Sequence, residues 1–256
     1  MFSKLSILIP ACNEADTIKP LLVKIRNVVL PDGIKKETIV VNDGSADDTE
    51  RAVFAFCQEF PDMPVRYFRH MANKGKGAAI HTGLQYATGE YVVIQDADLE
   101  YDPEDYALLL QPVLQHAAKV VYGSRFKNGC PRHMVSRWQW LGNRWLTTLS
   151  NQFNRLALTD METCYKLFST TLLRELPLRE KRFGFEPEVT ARIARLGNIR
   201  IYETDISYTA RTPAEGKKIG WKDGVRAVYC ILKYSPVFQK KEQRILENGR
   251  SAPQVK

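Results

Sequence analysis

Through its first 124 residues the chain alternates short apolar runs with stretches whose apolar positions recur at helical spacing. Leu5-Ser6-Ile7-Leu8-Ile9 predicts a strand stopped by Pro10, and Ile18, Leu21, Leu22 and Ile25 share one face of a helix predicted over 15–29. The alternation continues with strand 38–41, helix 48–60, strand 65–68, helix 77–87, strand 91–94, helix 103–116 and strand 120–122. Pro103 fits a first helical position, where the N–H it lacks has no partner to lose. This order predicts an α/β fold with a mostly parallel twisted sheet and helices on both faces. Beyond residue 124 the pattern loosens into a long helix over 135–158, a helix over 186–196, a strand over 199–202 and a last helix over 221–233. From Lys240 the chain is polar. We expect a single domain over 1–238, with halves 1–124 and 125–238, followed by a polar tail over 239–256.

In such sheets ligands bind beyond the carboxyl ends of the strands. Three polar clusters fall there: Asn13-Glu14 after the first strand, Asn42-Asp43-Gly44-Ser45 after the second, and Asp96-Ala97-Asp98 after the fourth. Composition changes the picture in two ways. The five cysteines are scattered without a C-x-x-C pair, and the four histidines show no ligand spacing. That argues against a disulfide framework or zinc site and fits a reducing compartment. The net charge of +8 is also split unevenly: residues 1–124 hold 12 Lys/Arg against 17 Asp/Glu, and residues 125–256 hold 25 against 12. An acidic half suits a cation, and a basic half suits an anionic partner. No signal-peptide pattern opens the chain, and no apolar run approaches the ~20 residues of a spanning helix. Membrane contact, where it occurs, is expected to be peripheral, on a protein at the cytoplasmic face.

Asp96 and Asp98 stand two residues apart just past a strand end, where paired carboxylates can hold a hard divalent cation such as Mg2+ against a diphosphate. An acidic turn capping the helix at Pro103 is the plain alternative. Asp43 can accept hydrogen bonds from a nucleobase or ribose, although Asp47 and Asp48 also supply turn and helix-cap chemistry here. Asn73-Lys74-Gly75-Lys76-Gly77 opens a helix with backbone N–H groups and cations suited to phosphate. Its register does not fit a Walker A loop.

Together, Ile9-Pro10-Ala11-Cys12-Asn13-Glu14, Val41-Asn42-Asp43-Gly44-Ser45, Asn73-Lys74-Gly75-Lys76-Gly77, Asp96-Ala97-Asp98-Leu99 and Gly123-Ser124-Arg125 resemble glycosyltransferase family 2, which has the GT-A fold. The likeness is greatest to the polyprenyl-phosphate branch, which includes dolichyl-phosphate mannose and glucose synthases. The resemblance implies that Pro10, Ala11, Glu14 and Asp43 line a base and ribose pocket. It implies that Lys76, Asp96, Ala97 and Asp98 meet the nucleotide sugar, and that Asp96, Asp98 and Glu100 hold Mg2+ or Mn2+. Glu100 stands where several members carry glutamine, and Asn42 replaces the first aspartate of the usual Asp-Asp-Gly-Ser pattern.

On the acceptor side the resemblance assigns Arg125, Arg132 and Ser136 to a lipid phosphate, with Asp98, Arg125 and Arg132 as the catalytic set. Arginine suits that task because its planar donors take phosphate bidentately. Arg211 and Lys217 match a basic loop that closes over the donor diphosphate. The 160–166 segment, Asp160-Met161-Glu162-Thr163-Cys164-Tyr165-Lys166, matches an acceptor-site segment in part. Trp138, Leu141, Trp145 and Leu149 share a helix face that suits either a membrane interface or the core. The Gln-x-x-Arg-Trp motif of processive synthases is absent, because Leu141 occupies the glutamine position before Arg144-Trp145.

These features lead to an inverting, metal-dependent transferase that moves a hexose from GDP-mannose or UDP-glucose to a polyprenyl phosphate. A separate membrane subunit is compatible with that expectation. A phosphate acceptor is already ionised and needs no general base. The rival is a soluble transferase acting on a sugar hydroxyl, which needs a carboxylate base such as Asp160 or Glu162. A nucleic-acid partner is not expected, since no base-stacking motif accompanies the basic half.

Overall fold

A computed structural model describes residues 2–127, 137–210 and 221–237. Its first four strands are β1 (Lys4–Ala11), β2 (Lys35–Asn42), β3 (Val65–Arg69) and β4 (Tyr91–Ile94), separated by α1 (Ala15–Asn27), α2 (Thr49–Glu59) and α3 (Lys76–Tyr86). There follow α4 (Tyr106–His116), β5 (Val120–Ser124), α5 (Arg137–Asn154), β6 (Lys166–Ser169), α6 (Thr170–Glu175), α7 (Phe185–Leu196), β7 (Ile201–Asp205) and α8 (Trp221–Tyr234). The strands form one sheet in the order β3-β2-β1-β4-β6-β5-β7. All pairings are parallel except those of β6, which runs antiparallel to both β4 and β5.

The expected α/β class is therefore observed. Its physical basis is plain in β1 and β2, where Ile7, Leu8, Ile9, Ile39, Val40 and Val41 are all buried. A parallel strand covered by helices on both faces is apolar at successive positions rather than at alternate ones. Lys36 braces the end of α1, donating through Nζ to the carbonyls of Ile25, Arg26 and Val28 at 2.6, 2.8 and 2.5 Å. Those carbonyls have no donor within the helix.

Three expectations change. Pro10 does not stop β1, which runs on to Ala11. Pairing with β4 ends at Leu8, so the missing Pro10 N–H faces a side of the strand with no ladder left to break. The strand β6 and the short α6 were not anticipated, because β6 contains only four residues and begins with a lysine. The last strand lies at Ile201–Asp205, two residues later than the apolar pattern indicates.

Two glycines show what the turns demand. Gly33 and Gly44 share a φ of 68°, but a Cβ on Gly33 would meet nothing within 4 Å, whereas one on Gly44 would lie 2.5 Å from the Ala72 carbonyl carbon. Gly33→Ala is expected to lose about 1–2 kcal/mol, the left-handed penalty alone. Gly44→Ala should lose clearly more, because backbone must also shift. Equal losses in urea unfolding would contradict this packing.

Candidate active site

The loops after β1 and β2 are stitched together by side chains that bond backbone. Asn13 N–H donates to Ser45 Oγ at 2.9 Å, and Ala46 N–H donates to Asn13 Oδ1 at 2.8 Å. Glu14 N–H donates to Thr49 Oγ1 at 2.8 Å, and Ala15 N–H donates to Asp47 Oδ2 at 3.0 Å. Pro10 and Ala11 end β1 beside this junction. Glu14 is nearly buried and accepts from Thr17 Oγ1 at 2.6 Å. Asn42 accepts from Ser45 N–H and donates to the Tyr67 hydroxyl, both at 2.8 Å.

Asp43 is buried and its carboxylate is heavily engaged. Oδ1 accepts from Lys74 N–H at 2.9 Å and from His70 Nδ1 at 2.7 Å, and Oδ2 accepts from Gly75 N–H at 2.7 Å. His70 Nε2 in turn lies 2.9 Å from Thr82 Oγ1. Asp43 thus anchors the segment that leads into α3. His70 was not singled out in the sequence, since a lone histidine after a strand carries no signal of its own.

That segment delivers Lys76. Gly75 adopts φ 100°, and a Cβ there would stand 2.4 Å from the Lys181 carbonyl oxygen. A Cβ on Gly77 would meet the Glu180 carbonyl oxygen at 2.4 Å. Only glycine lets the loop lie this close to backbone 180–182. Lys76 Nζ sits 2.8 Å from Asp96 Oδ1 and 3.0 Å from Glu186 Oε1. Burial pushes the ammonium's pKa down, but the charges around it, that of Asp96 first and that of Glu186 among the rest, outweigh burial and hold the pKa well above its ordinary value.

Ala97 is buried, and Asp98 is half-buried and accepts from Glu100 N–H at 3.3 Å. Glu100 accepts from the Tyr208 hydroxyl at 3.1 Å. The three carboxylates expected to bind metal are therefore held by different partners: Asp96 by Lys76, Asp98 by its own turn and Glu100 by Tyr208. Among the described residues no three of His, Cys, Asp and Glu gather closely enough to hold a metal ion.

Arg125 follows β5 and is nearly buried. Nε lies 2.7 Å from Asp160 Oδ2 and Nη2 lies 2.8 Å from Oδ1, while the Arg125 N–H also donates to Oδ2 at 3.1 Å. The edge of the guanidinium expected to grip phosphate is thus already on Asp160, which leaves the Nη1 side. Asp160 is fully buried in this ion pair, a poor position for a base. Arg132, Ser136, Arg211 and Lys217 lie outside the described residues.

Below this pair lie groups that sequence reasoning missed or left as alternatives. Lys166 is buried in β6 and donates to the carbonyls of Met161, at 2.8 Å, and Thr163. Burial pushes its ammonium down to about 8. Glu162 has a buried Oε1 without a hydrogen-bond partner among the described residues, and burial, then the charge of Glu186, pushes its carboxyl up to about 7. Glu186 lies in the first turn of α7, and its buried Oε2 has no partner among the described residues. The only signals were a lysine leading the apolar run Leu167-Phe168 and two glutamates framed by Phe185, Pro187 and Val189.

Residues 6–176 match the family described as Glycosyl transferase family 2, and the chain belongs to that family. It is 29% identical over 243 residues to UDP-N-acetylglucosamine--dolichyl-phosphate N-acetylglucosaminyltransferase of Methanococcus voltae, covering 88% of this chain and 94% of that protein. It is 29% identical over 226 residues to undecaprenyl-phosphate mannosyltransferase of Micrococcus luteus, covering 83% and 86%. The structure of glucosyl-3-phosphoglycerate synthase from Mycobacterium tuberculosis, in complex with Mn2+, uridine-diphosphate and phosphoglyceric acid, superposes with a TM-score of 0.68. That match covers 91% of this chain and 78% of the other at 22% identity, so the shared property is the GT-A fold. The chain is a glycosyltransferase, as its motifs led us to expect.

The raised Glu162 carboxyl has a consequence for stability. Between its ordinary pKa of 4.5 and about 7 the folded protein keeps a proton that the unfolded chain has lost. Stability contributed by Glu162 is therefore full below that window and falls as pH rises through it. Glu162→Gln cannot ionise and should gain on the unmodified protein as pH rises across the window, with the gain vanishing at its acid end. Urea midpoints that differ by a constant amount across this range would contradict the burial of that carboxyl.

Proposed function

We propose that this glycosyltransferase moves a hexose, with inversion, from GDP-mannose or UDP-glucose to a polyprenyl phosphate at the cytoplasmic face of a membrane. One observation carries the choice of acceptor: Asp160, the carboxylate nearest Arg125, is spent on a buried bidentate ion pair. A hydroxyl acceptor needs a base as it attacks, whereas a phosphate oxygen brings its own negative charge. The two relatives above, named as acting on dolichyl phosphate and undecaprenyl phosphate, support the same reading.

In this reading the base and ribose rest against Pro10, Ala11 and Glu14, with Asp43 acting mainly by holding the 73–77 loop in place. Lys76 and the N-terminus of α3 face the diphosphate. Asp98, with Asp96 beside it, would hold Mg2+ or Mn2+. Two hard carboxylates fit such an ion, which takes few protein ligands and completes its shell with phosphate oxygens and water. When bound, the ion withdraws charge from the departing nucleotide. Glu100, turned to Tyr208, is a weaker candidate ligand. The Nη1 side of Arg125, with Arg132 and Ser136, orients the acceptor phosphate. Arg211 and Lys217 cover the donor.

The proposed membrane contact draws on α5 and α8, which pack together. Leu141 and Trp145 on α5, and Val225, Tyr229 and Val237 on and just past α8, are exposed apolar groups. Arg144, Arg226 and Lys233 lie among them. Among the described residues no helix is long and apolar enough to cross a membrane. Apolar groups mixed with cations suit an anionic lipid interface. A partner subunit could share that task.

A hydroxyl acceptor remains the second reading, because Glu162, with its unpartnered oxygen and a pKa near neutral, has the properties of a base. The deciding assay uses vesicles containing polyprenyl phosphate, Mg2+ and labelled donors, with pelleting read alongside transfer. Labelled lipid should form, and the protein should pellet with anionic vesicles less as salt rises. Asp98→Asn should lower kcat/KM about 100-fold or more with folding intact. Arg125→Lys should be impaired, because an ammonium cannot copy the guanidinium edge. Glu162→Gln should retain more activity than either. Transfer to sugar alcohols but not to lipid, abolished in Glu162→Gln, would overturn the lipid-phosphate reading.

A further inference from the structure

One aromatic side chain that carries no motif joins the acidic turn after β4 to the arginine after β5. Tyr208 lies just past β7 and is half-buried. The main chain around it is fastened on both sides. Ile206 N–H donates to the Ser124 carbonyl at 3.1 Å, and Thr209 N–H donates to the Glu100 carbonyl at 2.9 Å. Tyr208 also forms an antiparallel bridge with Tyr101, and their ring centroids lie 5.3 Å apart.

The side chain touches a charged group at each end. Its hydroxyl donates to Glu100 Oε2 at 3.1 Å. Its ring centroid lies 5.1 Å from the guanidinium carbon of Arg125, and the Phe126 ring lies 5.2 Å from the same carbon. Asp160 takes Nε and Nη2 of that guanidinium, which fixes one edge of a planar group. A plane held along one edge can still rock about it. An aromatic face against the cation opposes that motion, because it attracts the guanidinium and favours stacking. A phosphate met through the Nη1 side needs the plane held, since binding groups work only within roughly 0.5 Å of their productive place. The hydroxyl matters for the same reason: bonded to Glu100, it stops the ring from turning away from Arg125.

We propose that Tyr208 is a positioning residue for the acceptor. Its ring holds the plane of Arg125 toward the acceptor phosphate, and its bond to Glu100 pins the ring. Glu100 thereby serves acceptor binding from the donor side of the site. This inference rests on the reading above, in which Arg125 meets a polyprenyl phosphate.

The test is calorimetry on the full chain without added metal, with geranyl phosphate as a short, soluble polyprenyl phosphate and geraniol as its uncharged control. The unmodified protein should bind the phosphate and not the alcohol. Failure to bind geranyl phosphate would overturn the acceptor reading itself, and this proposal with it. Tyr208→Phe keeps the ring and removes the tether, and should weaken binding about 3- to 10-fold, the net worth of one hydrogen bond. Tyr208→Leu removes the ring contact as well and should weaken it about 10- to 100-fold. Glu100→Ala, which removes the other end of the tether, should match Tyr208→Phe. Both Tyr208 variants should bind UDP or GDP with Mn2+ within about twofold of the parent, as expected for a contact that the nucleotide does not share. A general structural defect would be felt whatever stands at 125, so the deciding comparison is a double variant. In an Arg125→Lys background Tyr208→Phe should add less than about twofold, because residues that act through one another are not additive. The same loss in both backgrounds would mean that Tyr208 acts through the fold or touches the phosphate itself, and would overturn the proposal. Parent-like affinity in Tyr208→Leu or in Glu100→Ala would overturn it too.

Discussion

A buried ammonium held between two carboxylates from distant parts of the chain is the contact on which the site depends. Lys76 opens α3, Asp96 stands two residues past β4 and Glu186 lies in the first turn of α7, and the ammonium is within 3.0 Å of both carboxylates. Burying a charge is costly unless it is paired on the spot, and removing one partner of such a set leaves the others stranded. The arrangement therefore constrains everything around it. It requires glycine at 75 and 77 so that the loop can lie on backbone 180–182, and it requires Asp43 to hold that loop from beneath. The acidic edge of the sheet and the helices after β6 are thereby tied into one surface.

The same logic organises the opposite wall. Arg125 and Asp160 satisfy each other bidentately, and Tyr208 lies against the guanidinium, 5.1 Å from its ring centroid, while donating to Glu100. In the proposed reading the ligand meets acids from the β4 end and the guanidinium of Arg125 from the β5 end. That polarity suits a reaction in which negative charge arrives on the acceptor and leaves on the nucleotide. Stabilisation by groups already in place is worth most in such a water-poor setting. The antiparallel strand β6 makes this possible, because it brings Lys166 and the 160–164 segment between β4 and β5.

The first half of this architecture was legible in the sequence because its strands are continuous apolar runs and its polar clusters sit where each run ends. Asp43, Asp96 and Asp98 were singled out by their position past a strand end, and Arg125 by the family resemblance. Their partners were not. The Lys76–Glu186 contact joins residues 110 positions apart, and no local periodicity encodes it. Arg125 and Asp160 were each singled out, one as a phosphate grip and the other as a candidate base, without any sign that they neutralise one another. Pro10 misled in the other direction: a proline ends a central strand only where a ladder bond is lost, and the sequence does not tell which side is unpaired. The short β6 escaped notice because four residues led by a lysine resemble a loop until the buried carbonyls that satisfy that lysine are known.

The account's central claim is that donor chemistry takes place at the carboxyl ends of β1, β2 and β4, above Lys76. A crystal structure with an intact nucleotide hexose and Mn2+ tests it most directly. It should show the diphosphate against Asp98 and Lys76 and the base beside Pro10 and Glu14. A nucleotide bound on another face of the sheet would contradict it.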